Sequence, residues 1–213
     1  MPRILCLHGS GSSAEILKSQ ITNIISLLPS TFSFDFIDAP IPCNAAPELK
    51  AVYPGPYYQF FERYSDAEMQ NTIAMMEEMA EEEGPYDGVL GFSQGASVAA
   101  AFIARQGSRG SFENASFKMA IFLCAALIPP QEETASGLAN TMGTLGQIDI
   151  PTVHVIGRKD LCEAQSLRLV MSCARNTAQV LIIDGGHDIP RDAFNTKRIA
   201  VAIEYALRIG LSG

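Results

Sequence analysis

A serine flanked by glycines, Gly91-Phe92-Ser93-Gln94-Gly95, directly follows the apolar run Gly88-Val89-Leu90. In that context G-x-S-x-G is the pattern of a strand that turns sharply into a helix and exposes a serine hydroxyl at the corner. Side chains at 91 and 95 would collide with the neighbouring strand and helix, so both positions require glycine. A serine hydroxyl is a poor nucleophile until a base takes its proton. The chain has three histidines. His154 lies mid-strand among apolar neighbours and reads as core. His8 sits in a Gly/Ser loop and reads as a brace for it. His187 lies in Gly185-Gly186-His187-Asp188-Ile189-Pro190, where two glycines let the loop reach inward. His187 is the expected base.

A histidine base needs an acid to fix its tautomer and stabilise the imidazolium. Asp160, three residues past Gly157, ends the strand that should neighbour the one before His187. Asp184, Asp188 and Asp38 are weaker competitors. Asp184 ends a strand, Asp188 points away from its neighbour His187, and Asp38 lies on the far side of the elbow. A hydroxyl attacking a carbonyl also needs N–H donors aimed at the developing oxyanion, each worth about 3 kcal/mol. The residue after the nucleophile, Gln94, supplies one. Ser10, in the His8-Gly9-Ser10-Gly11 loop after the first strand, is the candidate for the second.

These groups need a scaffold. Short apolar strands at 4–7, 32–37, 88–90, 117–124, 152–156 and 179–183 alternate with helical patterns at 14–28, 66–83, 96–104, 163–175 and 191–209. This alternation predicts an α/β fold, a mostly parallel six-stranded sheet with helices on both faces. Catalytic groups then belong at the C-terminal ends of strands, where Ser93, Asp160 and His187 all fall. Two irregular excursions interrupt the pattern, at 41–64 and 129–147. Stretches of that length are usually functional. The first concentrates aromatic residues, including Tyr53, Tyr57, Tyr58, Phe60, Phe61 and Tyr64. Two readings stand: Tyr57, Tyr58 and Phe61 form a wall for an apolar substrate, or the rings pin the loop to the body. Leu138, Met142 and Leu145 of the second excursion could form an opposite wall.

At 213 residues, with 47% apolar and 18% charged content, the chain fits a single well-packed domain over 1–213. A net charge of −8 argues against nucleic acid. The acidic run Glu77-Glu78 and Glu81-Glu82-Glu83 reads as a solvated helix face. No apolar run is long enough to span a membrane. The N-terminus enters a strand at once, with no secretory signal pattern. Five scattered cysteines without metal spacing fit a reducing compartment, so the expected location is cytoplasmic, with no metal and no cofactor.

The order Ser…Asp…His is that of the α/β-hydrolases. The chain resembles the FSH family of small eukaryotic serine hydrolases within that superfamily. The resemblance rests on Leu7-His8-Gly9, Asp38-Ala39-Pro40, Gly55-Pro56-Tyr57-Tyr58, Gly91-Phe92-Ser93-Gln94-Gly95, Gly157-Arg158-Lys159-Asp160 and Gly186-His187-Asp188-Ile189-Pro190. The segment Gly55–Phe61 is most similar to fungal trans-acting thioesterases, which release polyketide chains from the acyl carrier domain of a polyketide synthase. Many relatives have a tryptophan near Phe60; this chain has none. The resemblance implies a serine hydrolase without a large lid domain. Its expected substrate is an acyl thioester or ester, and its expected partner is an acyl carrier domain. Thioester and oxygen ester use the same chemistry, so a carboxylesterase acting on small or medium-chain oxygen esters remains the alternative.

Two other classes fit less of the chain. Gly9-Ser10-Gly11-Ser12-Ser13-Ala14 matches a dinucleotide-binding G-x-G-x-x-A, with Asp35 or Asp38 at a ribose, but this leaves Ser93, Asp160 and His187 unexplained. A non-catalytic binding protein needs none of the three.

Overall fold

The computed structural model describes residues 1–63, 65–109, 117–127 and 147–212. The second excursion up to residue 146, with Leu138, Met142 and Leu145, lies outside them, as does Tyr64. Six strands form one sheet: β1 Arg3–Leu7, β2 Ser33–Ile37, β5 Gly88–Phe92, β6 Met119–Leu123, β7 Thr152–Gly157 and β8 Ala178–Ile183. Their order is β2-β1-β5-β6-β7-β8, and every neighbouring pair is parallel. β5, β6 and β7 are buried at every position, and β1 from Ile4 onward. Parallel strands covered on both faces need such continuous apolar runs. The edge strands β2 and β8 are only half-buried.

Alternation along each strand divides the core into two layers. Ile4, Cys6, Leu90, Ile121, Val153 and Val155 face α1 (Ala14–Ile25) and α5 (Ala193–Gly210). Leu5, Leu7, Val89, Ala120 and Phe122 face α2 (Asp66–Glu83), α3 (Gln94–Arg109) and α4 (Glu163–Met171). The helix starts follow capping chemistry. Ser65 Oγ accepts from Glu68 N–H at the start of α2, and the Glu68 carboxylate collects the Glu62 and Arg63 N–H groups at 2.8 and 2.9 Å. Asp192 caps α5 through Asn195 N–H at 2.9 Å.

Three boundaries differ from the sequence expectation. α1 stops at Ile25 rather than Leu28, because Pro29 follows. The Leu27 and Leu28 N–H groups then bond one residue short of helical register, to Ile24 and Ile25. α4 stops at Met171 rather than Arg175, because Ile148 takes over the backbone there. Ile148 N–H donates to Ser172 and Ala174 N–H donates to Ile148. The 41–64 excursion is also not wholly irregular. β3 (Ile41–Pro42) and β4 (Tyr58–Gln59) pair antiparallel, and Tyr58 bridges to Ser12 in the loop after β1.

Of the acidic run, Glu81, Glu82 and Glu83 are exposed, while Glu77 pairs with Arg105 at 3.1 Å. No helix among the described residues is long and apolar enough to cross a membrane. All five cysteines are free.

His154 is a core residue of β7, with Nε2 3.0 Å from Thr152 Oγ1 and its ring against Phe122. Burial pushes its pKa from the ordinary 6.5 down to about 4. Between those values the unfolded chain binds the proton and the folded one does not, so stability falls as pH falls through that window. The full shift corresponds to roughly 3 kcal/mol. Urea midpoints at pH 7 and 4.5 test this. The native protein should lose on the order of 2 kcal/mol more than His154→Leu between the two. Equal losses would show that His154 does not drive the acid sensitivity.

Candidate active site

The elbow forms because the chain has almost no room at the corner. A Cβ on Gly91 would lie 2.5 Å from the Ala96 backbone, and one on Gly95 would overlap the Leu7 and His8 carbonyls. Ser93 itself is held at φ 53°, a left-handed conformation that a non-glycine residue rarely adopts. Its own N–H is committed to Leu123 C=O at 3.0 Å. The result aims Ser93 Oγ at His187 Nε2, 2.8 Å away.

Asp160 approaches the other ring nitrogen. Both of its oxygens lie 2.9 Å from His187 Nδ1. Its side chain is fully buried, while that of His187 is 30% exposed. Cys162 N–H also donates to Asp160 Oδ1 at 2.7 Å, fixing the carboxylate's orientation. A carboxylate oxygen accepts, so the geometry sets the proton on Nδ1 and leaves Nε2 to accept from the serine hydroxyl. The three groups come from the ends of β5, β7 and β8, the C-terminal edge of the sheet.

The competing acids are engaged elsewhere. Asp38 accepts from Ala14 N–H at 2.8 Å, at the start of α1. Asp184 is exposed and pairs with Lys159 at 2.8 Å, which holds its pKa below the usual carboxylate value. Asp188 is exposed. His8 is buried, and its Nε2 accepts from Ala39 N–H at 3.0 Å, bracing the loop after β1 against the end of β2. Burial lowers its pKa, as an accepting Nε2 requires.

Cys124, Asp160 and His187 cluster within 4.8 Å, a set that could in principle hold a metal. The chemistry of the donors disfavours it. The Cys124 thiol is buried and donates to Asp188 C=O at 3.6 Å. Asp160 and His187 are also already committed to each other.

The oxyanion candidates lie near Ser93 in sequence or in the cavity. Gln94 opens α3, where the first N–H groups have no partner within the helix. Its side chain is 2% exposed and clamps the first excursion: Oε1 accepts from Phe60 N–H at 2.8 Å and Nε2 donates to Phe61 C=O at 2.9 Å. Ser10 is exposed, and its Oγ donates to Gln59 Oε1 at 3.2 Å. Ser10 lies in a loop stapled to β4, with Gly11 N–H donating to Tyr58 and Tyr58 N–H donating to Ser12.

Ser93, His187 and Ser10 line a cavity of about 370 Å³, walled by Leu49, Val52, Tyr53, Phe92 and Ile189. Tyr57, Tyr58 and Phe61 are placed outside that lining. Phe61 is buried in the core, Tyr58 is held in β4, and Tyr57 donates its hydroxyl to Tyr53 C=O at 2.6 Å. All three are positioned as pins of the excursion, and its contribution to the cavity comes from Leu49, Val52 and Tyr53. Aromatic density in the sequence located the segment but not which rings face inward.

A family model described as serine hydrolase (FSH1) matches residues 1–199. The chain belongs to the FSH1 serine hydrolase family. It is 33% identical to "Hydrolase phiM" of Fungal sp. (strain ATCC 74256), over 98% of this chain and 97% of that one. It is 30% identical to "Esterase FUS5" of Gibberella moniliformis, over 97% and 88%. Among solved structures, acyl-protein thioesterase 2 of Zea mays superposes with a TM-score of 0.62 at 18% identity, covering 97% of this chain and 94% of that one. The fold of this FSH1 family member is that of the α/β-hydrolases, and the protein is a serine hydrolase that acts on ester bonds.

Proposed function

We propose that the protein releases an acyl group from a carrier-bound thioester, using Ser93 as nucleophile, His187 as general base and acid, and Asp160 as its partner. The observation that carries this reading is the continuous hydrogen-bonded chain from Ser93 Oγ through His187 to Asp160. Ser93 Oγ attacks the acyl carbonyl as its proton passes to His187 Nε2. The oxyanion is met by the N–H groups of Gln94 and Ser10. His187 returns the proton to the departing thiol, and the acyl group stays on Ser93. Water, deprotonated by His187, then attacks the acyl-enzyme, and the free acid leaves.

The choice of a polyketide-type acyl group on a carrier domain rests on the resemblance of Gly55–Phe61 to the fungal trans-acting thioesterases. An acidic carrier would meet a chain of net charge −8, so docking needs local positive charge. Arg191, exposed beside the cavity, supplies some. The name of the relative Esterase FUS5 favours the second reading, a carboxylesterase for small or medium-chain oxygen esters. Matched acyl thioesters and oxygen esters, followed by intact mass and hydrolysis rate, separate the two. Preferential thioester turnover with an acyl adduct on Ser93 supports carrier release. Fast cleavage of oxygen esters with poor thioester turnover establishes the carboxylesterase.

A further inference from the structure

Two polar residues in the cavity wall have no part in that scheme. Ser12 is 2% exposed, yet its Oγ meets no hydrogen-bond partner among the described residues. The amide oxygen of Gln20, on α1, is likewise buried and unpartnered among them. Both residues line the same cavity as Ser93 and His187. Buried hydroxyls and amides nearly always find partners, because an unpaired one has lost its bonds to water without replacement.

Neither group is adrift. Ser12 is fixed by its own backbone, whose C=O accepts from Tyr58 N–H at 2.7 Å. Gln20 follows Ile16 by one helical turn and precedes Ile24 by another, and both of those are buried. Helix geometry therefore turns Gln20 toward the body rather than away from it. Much of the remaining wall, Leu49, Val52, Tyr53 and Ile189, is apolar. A plain alkyl chain would offer both polar groups nothing.

We propose that Ser12 and Gln20 are specificity-determining residues that recognise an oxygenated acyl group. That group carries a hydroxyl or keto oxygen beyond the carbonyl under attack. This rests on reading the cavity as the acyl site. The Ser12 hydroxyl donates to either kind of oxygen, and the Gln20 carbonyl accepts from a hydroxyl. A hydroxyacyl chain offers a partner to either residue, a ketoacyl chain offers one to Ser12, and an alkyl chain offers none. At about 30 Å³ per water-sized group, the cavity holds roughly a dozen non-hydrogen atoms. A six-carbon acyl group fits within that volume.

The probes are N-acetylcysteamine thioesters of hexanoic acid and of its 3-, 4- and 5-hydroxy and oxo derivatives. Dissociation constants are measured on the Ser93→Ala protein, where nothing is turned over, and kcat/KM on the native protein. At least one hydroxyacyl probe should bind about 10- to 100-fold more tightly than hexanoyl, since sites built to bond an oxygen reject analogues lacking it. In the Ser12→Ala, Gln20→Leu double variant that ratio should fall to within about threefold of unity. Should the double variant not fold, Ser12→Ala and Gln20→Met singly read the same ratio. Hexanoyl binding as tightly as every oxygenated probe, or a preference that survives both substitutions, overturns the proposal. A binding preference without hydrolysis by the native protein leaves these roles standing and removes the thioesterase reading instead.

Discussion

Ser93→Ala should lower kcat by roughly 10⁶-fold, leaving only the residual acceleration that binding and oxyanion donors provide. The substitution removes one oxygen from a half-buried side chain, so the fold should survive it. The thermal midpoint is expected within about 3 °C of native, because surface-like changes of this size stay near 0.5 kcal/mol. Rate and midpoint need to be read together. A lost rate with a collapsed midpoint would say only that position 93, at φ 53°, tolerates nothing but serine. Near-normal turnover in a folded variant would remove Ser93 as the nucleophile.

Asp160→Asn should cost about 10⁴-fold in kcat. The reason lies in which proton sits where. Both Asp160 oxygens face His187 Nδ1, so that nitrogen carries the proton and Nε2 is free to accept. An asparagine could present its NH₂ to Nδ1 instead. The ring would then place its proton on Nε2, pointing at Ser93, and could not act as a base. Asp184→Asn is the control. It is exposed and paired with Lys159, and a change of less than about threefold is expected from a surface ion pair. A mild effect at Asp160 with a large one at Asp184 or Asp38 would transfer the role.

The six main strands were legible because each is an apolar run too short for a helix and bounded by turn residues. The placement of Ser93, Asp160 and His187 together was legible for a further reason: a parallel sheet gathers its strand C-termini along one edge, and the three residues lie just past the ends of strands there. The β3–β4 pair was hidden because strands of two residues, one of them Pro42, carry no periodicity. The end of α4 was hidden because it depends on Ile148, more than twenty residues away. The inward roles of Ser12 and Gln20 left no local signal either. A serine in a Gly/Ser loop and a glutamine on an amphipathic helix both read as solvent-facing. What buries Ser12 is the first excursion, which pins the loop after β1 through Tyr58, while Gln20 shares the α1 face of buried Ile16 and Ile24.

The left-handed Ser93 backbone also gives the molecule a built-in reporter. On the proposed mechanism, the hydroxyl is reactive only while Gly91 and Gly95 hold the corner closed against Ala96 and the Leu7 carbonyl. In an unfolded chain that serine is one among many, with an unassisted hydroxyl. On that mechanism, the initial rate at which a fluorophosphonate labels position 93 counts native molecules. It allows folding to be followed in crude extracts, at concentrations far below those that spectroscopy needs.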